Sequence, residues 1–155
     1  MTADDFAPLF SSDLGQQVRA SFEEMIEFGA SVTAATQETW HRFKGAMNDP
    51  QDGPVVIVAL AALQVANREV FASVRDAALE VLGDGSARRQ VVGGPESESV
   101  RQLLDDLQEI LEELGSRTTR RMKTTNTRMK TTSETKVGVP ASAGMSEHTR
   151  PEHAR

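Results

Sequence analysis

The sequence has no cysteine and no tyrosine, and only 5% of its residues are aromatic. Without thiols it has no disulfide framework, no thiolate zinc site and no cysteine nucleophile, a pattern that suits a reducing compartment. It also lacks a long hydrophobic run. The longest, Val55 to Ala66, is interrupted by Gln64, and crossing a bilayer takes roughly 20 apolar residues. The first five residues, Met1-Thr2-Ala3-Asp4-Asp5, are acidic and carry neither the basic region nor the apolar core of a secretory signal. Cytoplasmic residence with no transmembrane segment is the expectation.

What is present is charge, unevenly placed. The 155 residues carry a net charge of −6. Residues 1–116 hold 20 acidic against 8 basic side chains, and residues 117–155 hold 9 basic against 3 acidic. An acidic body followed by a basic segment implies two regions with different tasks. The expected organisation is an N-terminal arm over 1–11, a helical domain over 12–115 and a disordered basic tail over 116–155.

Hydrophobic periodicity predicts an all-α fold, a small antiparallel hairpin or bundle of about three helices. The first helix is expected over Asp13–Met47, with Leu14, Val18, Phe22, Met25, Ile26, Val32, Trp40, Phe43 and Met47 on its apolar positions. Asp13 with Gln16 suits its start, and Gly29 predicts a bend or break near 29–36. The second begins at Pro54 and ends near Gly83-Asp84-Gly85, a proline start and a glycine stop. Its first half, from Val55 to Leu63, is apolar on every side, as a helix surrounded by other helices would be. The third, about Glu96 to Leu114, carries Val100, Leu103, Leu104, Leu107, Ile110, Leu111 and Leu114 as one stripe. Asp105, Asp106, Glu109, Glu112 and Glu113 take the solvent side, Gly115 reads as the stop, and the acids of the last turn oppose the helix dipole. That stripe needs cover, from this chain or from another copy. Beyond it, Arg-Met-Lys-Thr-Thr occurs at 121–125 and again at 128–132, a repeat with no apolar stripe and so no core to build.

No constellation of catalytic or metal-ligating residues emerges, and no cofactor is expected. His148 and His153, with Glu147 and Glu152, flank Pro151 in the tail, where nothing holds the roughly four ligands of a zinc site in place. His41 beside Trp40 reads as a helix-surface or packing histidine. Ser86 after Gly83-Asp84-Gly85 lacks the lysine of a phosphate loop, so a helix-ending turn is expected, with Arg88 and Arg89 as a solvated pair. Arg117, Arg120, Arg121, Lys123, Arg128, Lys130 and Lys136 suit anion contact with phosphates in a salt-sensitive way. The same charges suit an anionic membrane or the acidic body, and no interleaved aromatic supports base stacking.

Three functional expectations follow. The leading one is a non-enzymatic interaction or scaffold protein, a homo-oligomer or a binder of a helical partner, associating through Val100, Leu103, Leu104, Leu107, Ile110, Leu111 and Leu114. The second rests on composition. A cysteine-free, tyrosine-free, alanine-rich helical chain is similar in general style to the phasins, coat proteins of polyester granules. That similarity implies a coat on a polymer or lipid inclusion, with Val55, Val56, Ile57, Val58, Leu60 and Leu63 touching the hydrophobic surface. The third is regulatory contact with nucleic acid through the basic tail, opposed by the acidic body.

Overall fold

The computed structural model describes residues 1–93 and 97–134, the stretch 118–134 as backbone. The chain divides after Ser116 into two units. The described residues are all helical. A short 3-10 helix over Ala3–Phe10 is followed by α1 (Asp13–Glu27), α2 (Val32–Arg42), α3 (Lys44–Met47), α4 (Gly53–Ala66), α5 (Ala72–Gly83), α6 (Gly85–Val92) and α7 (Glu98–Glu134).

Helix α4 is the centre of the first unit. Val56, Val58, Leu60, Ala61, Ala62 and Leu63 are fully buried, and α1, α3, α5, α6 and the 3-10 helix all pack on α4. Its alanines permit this crowding, because a methyl lets neighbouring backbones approach from several sides. Pro54 sits in the first turn, as its fixed φ and missing N–H suit. Gly53 lies so close to the Met47 carbonyl oxygen that a Cβ there would stand 2.7 Å from it.

The expectation of three helices is corrected in several places. The segment read as an N-terminal arm is a 3-10 helix, and its Phe6, Leu9 and Phe10 belong to the core. Arg19 ties it to α1, pairing with Asp4 at 2.7 Å and with Glu23 at 2.8 Å while its guanidinium lies 5.5 Å over the Phe10 ring. Hydrogen bonds from the backbone N–H and hydroxyl of Thr2 hold the Asp5 carboxyl below its ordinary range.

The first long helix is three, α1 to α3. Ser12 caps α1, one residue before the expected start, its hydroxyl accepting the Gly15 N–H at 3.0 Å. The break falls at residues 28–31, within the window Gly29 marked. The second long helix is also broken, over residues 67–71 between α4 and α5, a break that no glycine or proline announces. The chain then forms α6 where a loop was expected, with the Asp84 carboxylate accepting the Ser86 N–H at 2.8 Å as its cap. Arg88 is no solvated loop cation. It donates to the Arg101 carbonyl at 3.0 Å and pairs with Asp105 at 2.7 Å, fastening α6 to α7.

Helix α7 brings Leu104, Leu107 and Leu111 to the same core, with Val100 and Leu103 packed beside them. Gly115 does not stop it: helical backbone runs to Glu134. Glycine within a helix costs only about 1 kcal/mol relative to alanine, too little to end one that packs on the core. A Cβ at Gly115 would make only ordinary contact with the Arg75 guanidinium, at 3.6 Å. Because the helix continues, Glu112 and Glu113 do not occupy a last turn and the expected clash with the dipole does not arise. Of the segment expected to form a disordered tail from 116, helical backbone is described as far as 134, and the remainder, 135–155, lies outside the described residues.

A candidate binding cleft between α2 and α5

The site begins with a polar residue in an apolar helix. Gln64, the interruption in the Val55–Ala66 run, is fully buried on α4. A buried amide needs partners for both of its ends, and Gln64 has them. Its Nε2 donates to the Thr36 hydroxyl at 2.9 Å, and its Oε1 accepts the Phe71 backbone N–H at 3.0 Å. Thr36 is on α2 and Phe71 immediately precedes α5, so one side chain fixes the spacing of these two elements over α4.

Above that link lies a cleft of about 290 Å³, lined by Thr33, Thr36, Gln37 and Trp40 of α2 and by Phe71, Ser73 and Val74 at the start of α5. Its walls are chiefly apolar: the Trp40 and Phe71 rings and Val74, with hydroxyls and one amide among them. None of the lining residues carries an ionisable side chain. Trp40 is 39% exposed and Phe28 83% exposed; they are the two exposed aromatic residues among those described. At one edge of the cleft the Thr33 hydroxyl reaches the Glu69 carboxylate at 3.5 Å, linking the turn after α4 to the start of α2. On another part of α2, the fully buried Thr39 hydroxyl has no hydrogen-bond partner. It does not line the cleft.

The two helix ends beside the cleft are built alike. After α1, the Ala30 N–H donates to the Met25 carbonyl and the Gly29 N–H to the Ile26 carbonyl, both at 2.9 Å. After α4, the Glu69 N–H donates to the Gln64 carbonyl at 3.1 Å and the Arg68 N–H to the Val65 carbonyl at 3.0 Å. Both are Schellman closures, in which the residue after the cap turns left-handed to satisfy the last carbonyls. Gly29 does so at φ 87° and Arg68 at φ 61°.

The residues expected to make contacts fall elsewhere. In the apolar run, Val55, Val56, Val58, Leu60 and Leu63 are buried at 6% exposure or less, and Ile57 is half-buried against the core. These residues, expected to contact a polymer or lipid surface, are packed instead against the chain's own helices. Of the α7 stripe, Leu104, Leu107 and Leu111 are fully buried and covered from within, so they offer nothing to a second copy. Val100, Leu103, Ile110 and Leu114 are half-buried. Arg117 is exposed at its residue level. The side chains of Arg120, Arg121, Lys123, Arg128 and Lys130 lie outside the described residues, as do Lys136, His148 and His153. His41 is exposed on α2. Among the described residues no cluster of His, Asp or Glu is arranged to hold a metal ion, and no helix is long and apolar enough to cross a membrane.

Sequence reasoning placed Trp40 on a packing face and passed over Gln64 and Phe28. Signals for both were there. A lone amide within an apolar helix asks for buried partners, and an aromatic residue off the Phe22, Met25, Ile26 stripe and next to a helix-ending glycine has no core position to occupy. No family model, no curated protein and no solved structure matches the chain.

Proposed function

We propose that the chain is a non-enzymatic helical interaction module whose contact site is the α2–α5 cleft, which takes a bulky apolar side chain from a protein partner. The observation that carries this reading is Trp40, partly exposed over a cleft whose width the buried Gln64 link holds open. At about 290 Å³ the cleft stands at the small end of ligand sites, which run from roughly 300 to 1,000 Å³. That volume suits a single anchor, and a tryptophan wall is typical of the positions that dominate binding. The lining offers hydroxyls, an amide and aromatic faces, groups that orient an apolar body and carry out no acid–base step. Cysteine-free composition supports a cytoplasmic setting.

A neutral naphthylamine dye tests the site. Trp40 is the single tryptophan, so its emission reports occupancy directly. Saturable one-to-one quenching is expected, weakened about tenfold or more when Ser73→Phe fills the cleft from its exposed rim, as a lost anchor contact would. Failure of the dye to quench Trp40, or equal affinity in Ser73→Phe, defeats the reading.

A further inference from the structure

We infer that the partner at this cleft is a second copy of the chain, presenting Phe28. This rests on the reading of the cleft as an anchor site and adds the identity of what fills it. The molecule carries both halves of such a contact. One half is a ring-sized apolar cleft lined by Trp40, Phe71 and Val74. The other is Phe28, whose ring is the most exposed of the large apolar side chains described.

Phe28 is also held ready. It is the C-cap of α1, its N–H donating to the Glu24 carbonyl at 3.1 Å, and the Schellman closure through Gly29 immediately follows. An anchor on a fixed helix end loses little freedom on insertion. Phe28 stands only five residues before Thr33, so at most about 18 Å of chain separates it from the edge of the cleft. Anchor and receptor thus share one region of the surface. That is the requirement for a two-fold dimer in which each copy gives its Phe28 to the other's cleft.

The strength of the dimer follows from area and charge. Phe28 is nearly free but Trp40 is only 39% exposed, so the two supply about 200–300 Å² per copy, well short of the roughly 800 Å² per partner of a standard interface. The dimer is accordingly a weak one, seen only at high protein concentration. Glu24 and Glu27 flank Phe28, Glu69 and Arg68 stand together beside the cleft, and residues 1–116 hold 20 acidic against 8 basic side chains, so the copies approach with like net charge. Salt screens that repulsion, and the dimer strengthens as salt is raised.

Sedimentation equilibrium of the full chain tests the inference. The unaltered chain is expected to dimerise reversibly, more tightly in high salt. Phe28→Ser, a change at an exposed position, and Ser73→Phe are each expected to weaken dimerisation about tenfold or more with the circular dichroism spectrum unchanged. Mixed one to one, the two variants are expected to associate more than either does alone and less than the unaltered chain, because one of the two Phe28–cleft contacts is restored. A chain that stays monomeric throughout overturns the inference, as does a dimer indifferent to either substitution or a mixture that associates no more than either variant alone. Quenching of Trp40 by the dye in a chain that does not dimerise removes the second copy while leaving the cleft reading intact. Absence of both removes the two together.

Discussion

The turn after α1 and the turn after α4 use the same pair of backbone hydrogen bonds to end a helix, but they reach that closure from different residues. Gly29 enters the left-handed region without a Cβ to hinder it. Arg68 enters it against a steric cost of about 1–2 kcal/mol, and surrounding bonds must offset that. They are visible. The Asn67 side chain donates to the Leu63 carbonyl at 2.7 Å, the Gln64 amide takes the Phe71 N–H, and Glu69 accepts from Thr33. The first turn is set by its own sequence and leaves Phe28 exposed. The second is set by tertiary contacts and forms a wall of the cleft. Rigidity at the site therefore comes from two sources, one local and one dependent on the rest of the fold.

The sharpest way to break this contrast is to cut the support of the second turn. Gln64→Leu keeps the volume and helix propensity of α4 but strands the Phe71 N–H and removes the donor to the buried Thr36 hydroxyl. Each buried polar group left without its partner costs about 1–3 kcal/mol, so a loss of roughly 2–4 kcal/mol is expected in urea unfolding. The dye described above should also bind more weakly, since α2 and the start of α5 lose their spacer. A stability change below about 1 kcal/mol with unaltered dye affinity would show that the α4–α5 turn stands without the amide.

A smaller effect is expected at the other turn. Gly29→Val places a β-branched side chain at φ 87°, with nothing within 4 Å of its Cβ. Crowding plays no part there, and the cost is purely one of backbone conformation, about 1–2 kcal/mol. The measurement is again a urea midpoint. An unchanged midpoint would mean that the α1–α2 turn relaxes out of the left-handed region without loss.

The same contrast explains how much of the fold and the site could be read from sequence. The break at Gly29 was legible because the residue that makes it is the one best suited to it. The break at Arg68 was not, because the one local bond there, from the Asn67 side chain to the Leu63 carbonyl, carries no glycine or proline signal; the rest of the preference lies in Gln64 and Thr33, whose roles exist only once the helices are packed. The all-helical class, the apolar surround of α4 and the inward stripe of Leu104, Leu107 and Leu111 follow from periodicity alone. What covers that stripe does not, since an apolar face looks identical whether its partner is in the same chain or another. Burial of Phe6, Leu9 and Phe10 was hidden for a related reason: one 3-10 turn set is too short to display a period, and Pro8 within it argues for an arm. The cleft was the least legible feature. Its residues come from two separated helices, and its floor depends on an amide whose two bonds join positions 36, 64 and 71.

The last prediction changes sign. If Arg68 is held in the left-handed region by its surroundings, a glycine there should be easier to hold. Arg68→Gly removes the steric cost of about 1–2 kcal/mol, while the freedom glycine adds to the unfolded chain takes back about 0.5–1 kcal/mol. A net gain near 0.5 kcal/mol is expected, seen as a rise in the thermal midpoint of a few degrees at most. Arg68 is exposed, and among the described residues no hydrogen bond or ion pair of its side chain enters the balance. The substitution should also make the two turns interchangeable. In the Arg68→Gly background, Gln64→Leu should cost less than it does alone, because the glycine no longer needs the amide to hold it left-handed. Equal costs in the two backgrounds would mean that Gln64 serves the cleft wall alone and leaves the turn to its own backbone bonds.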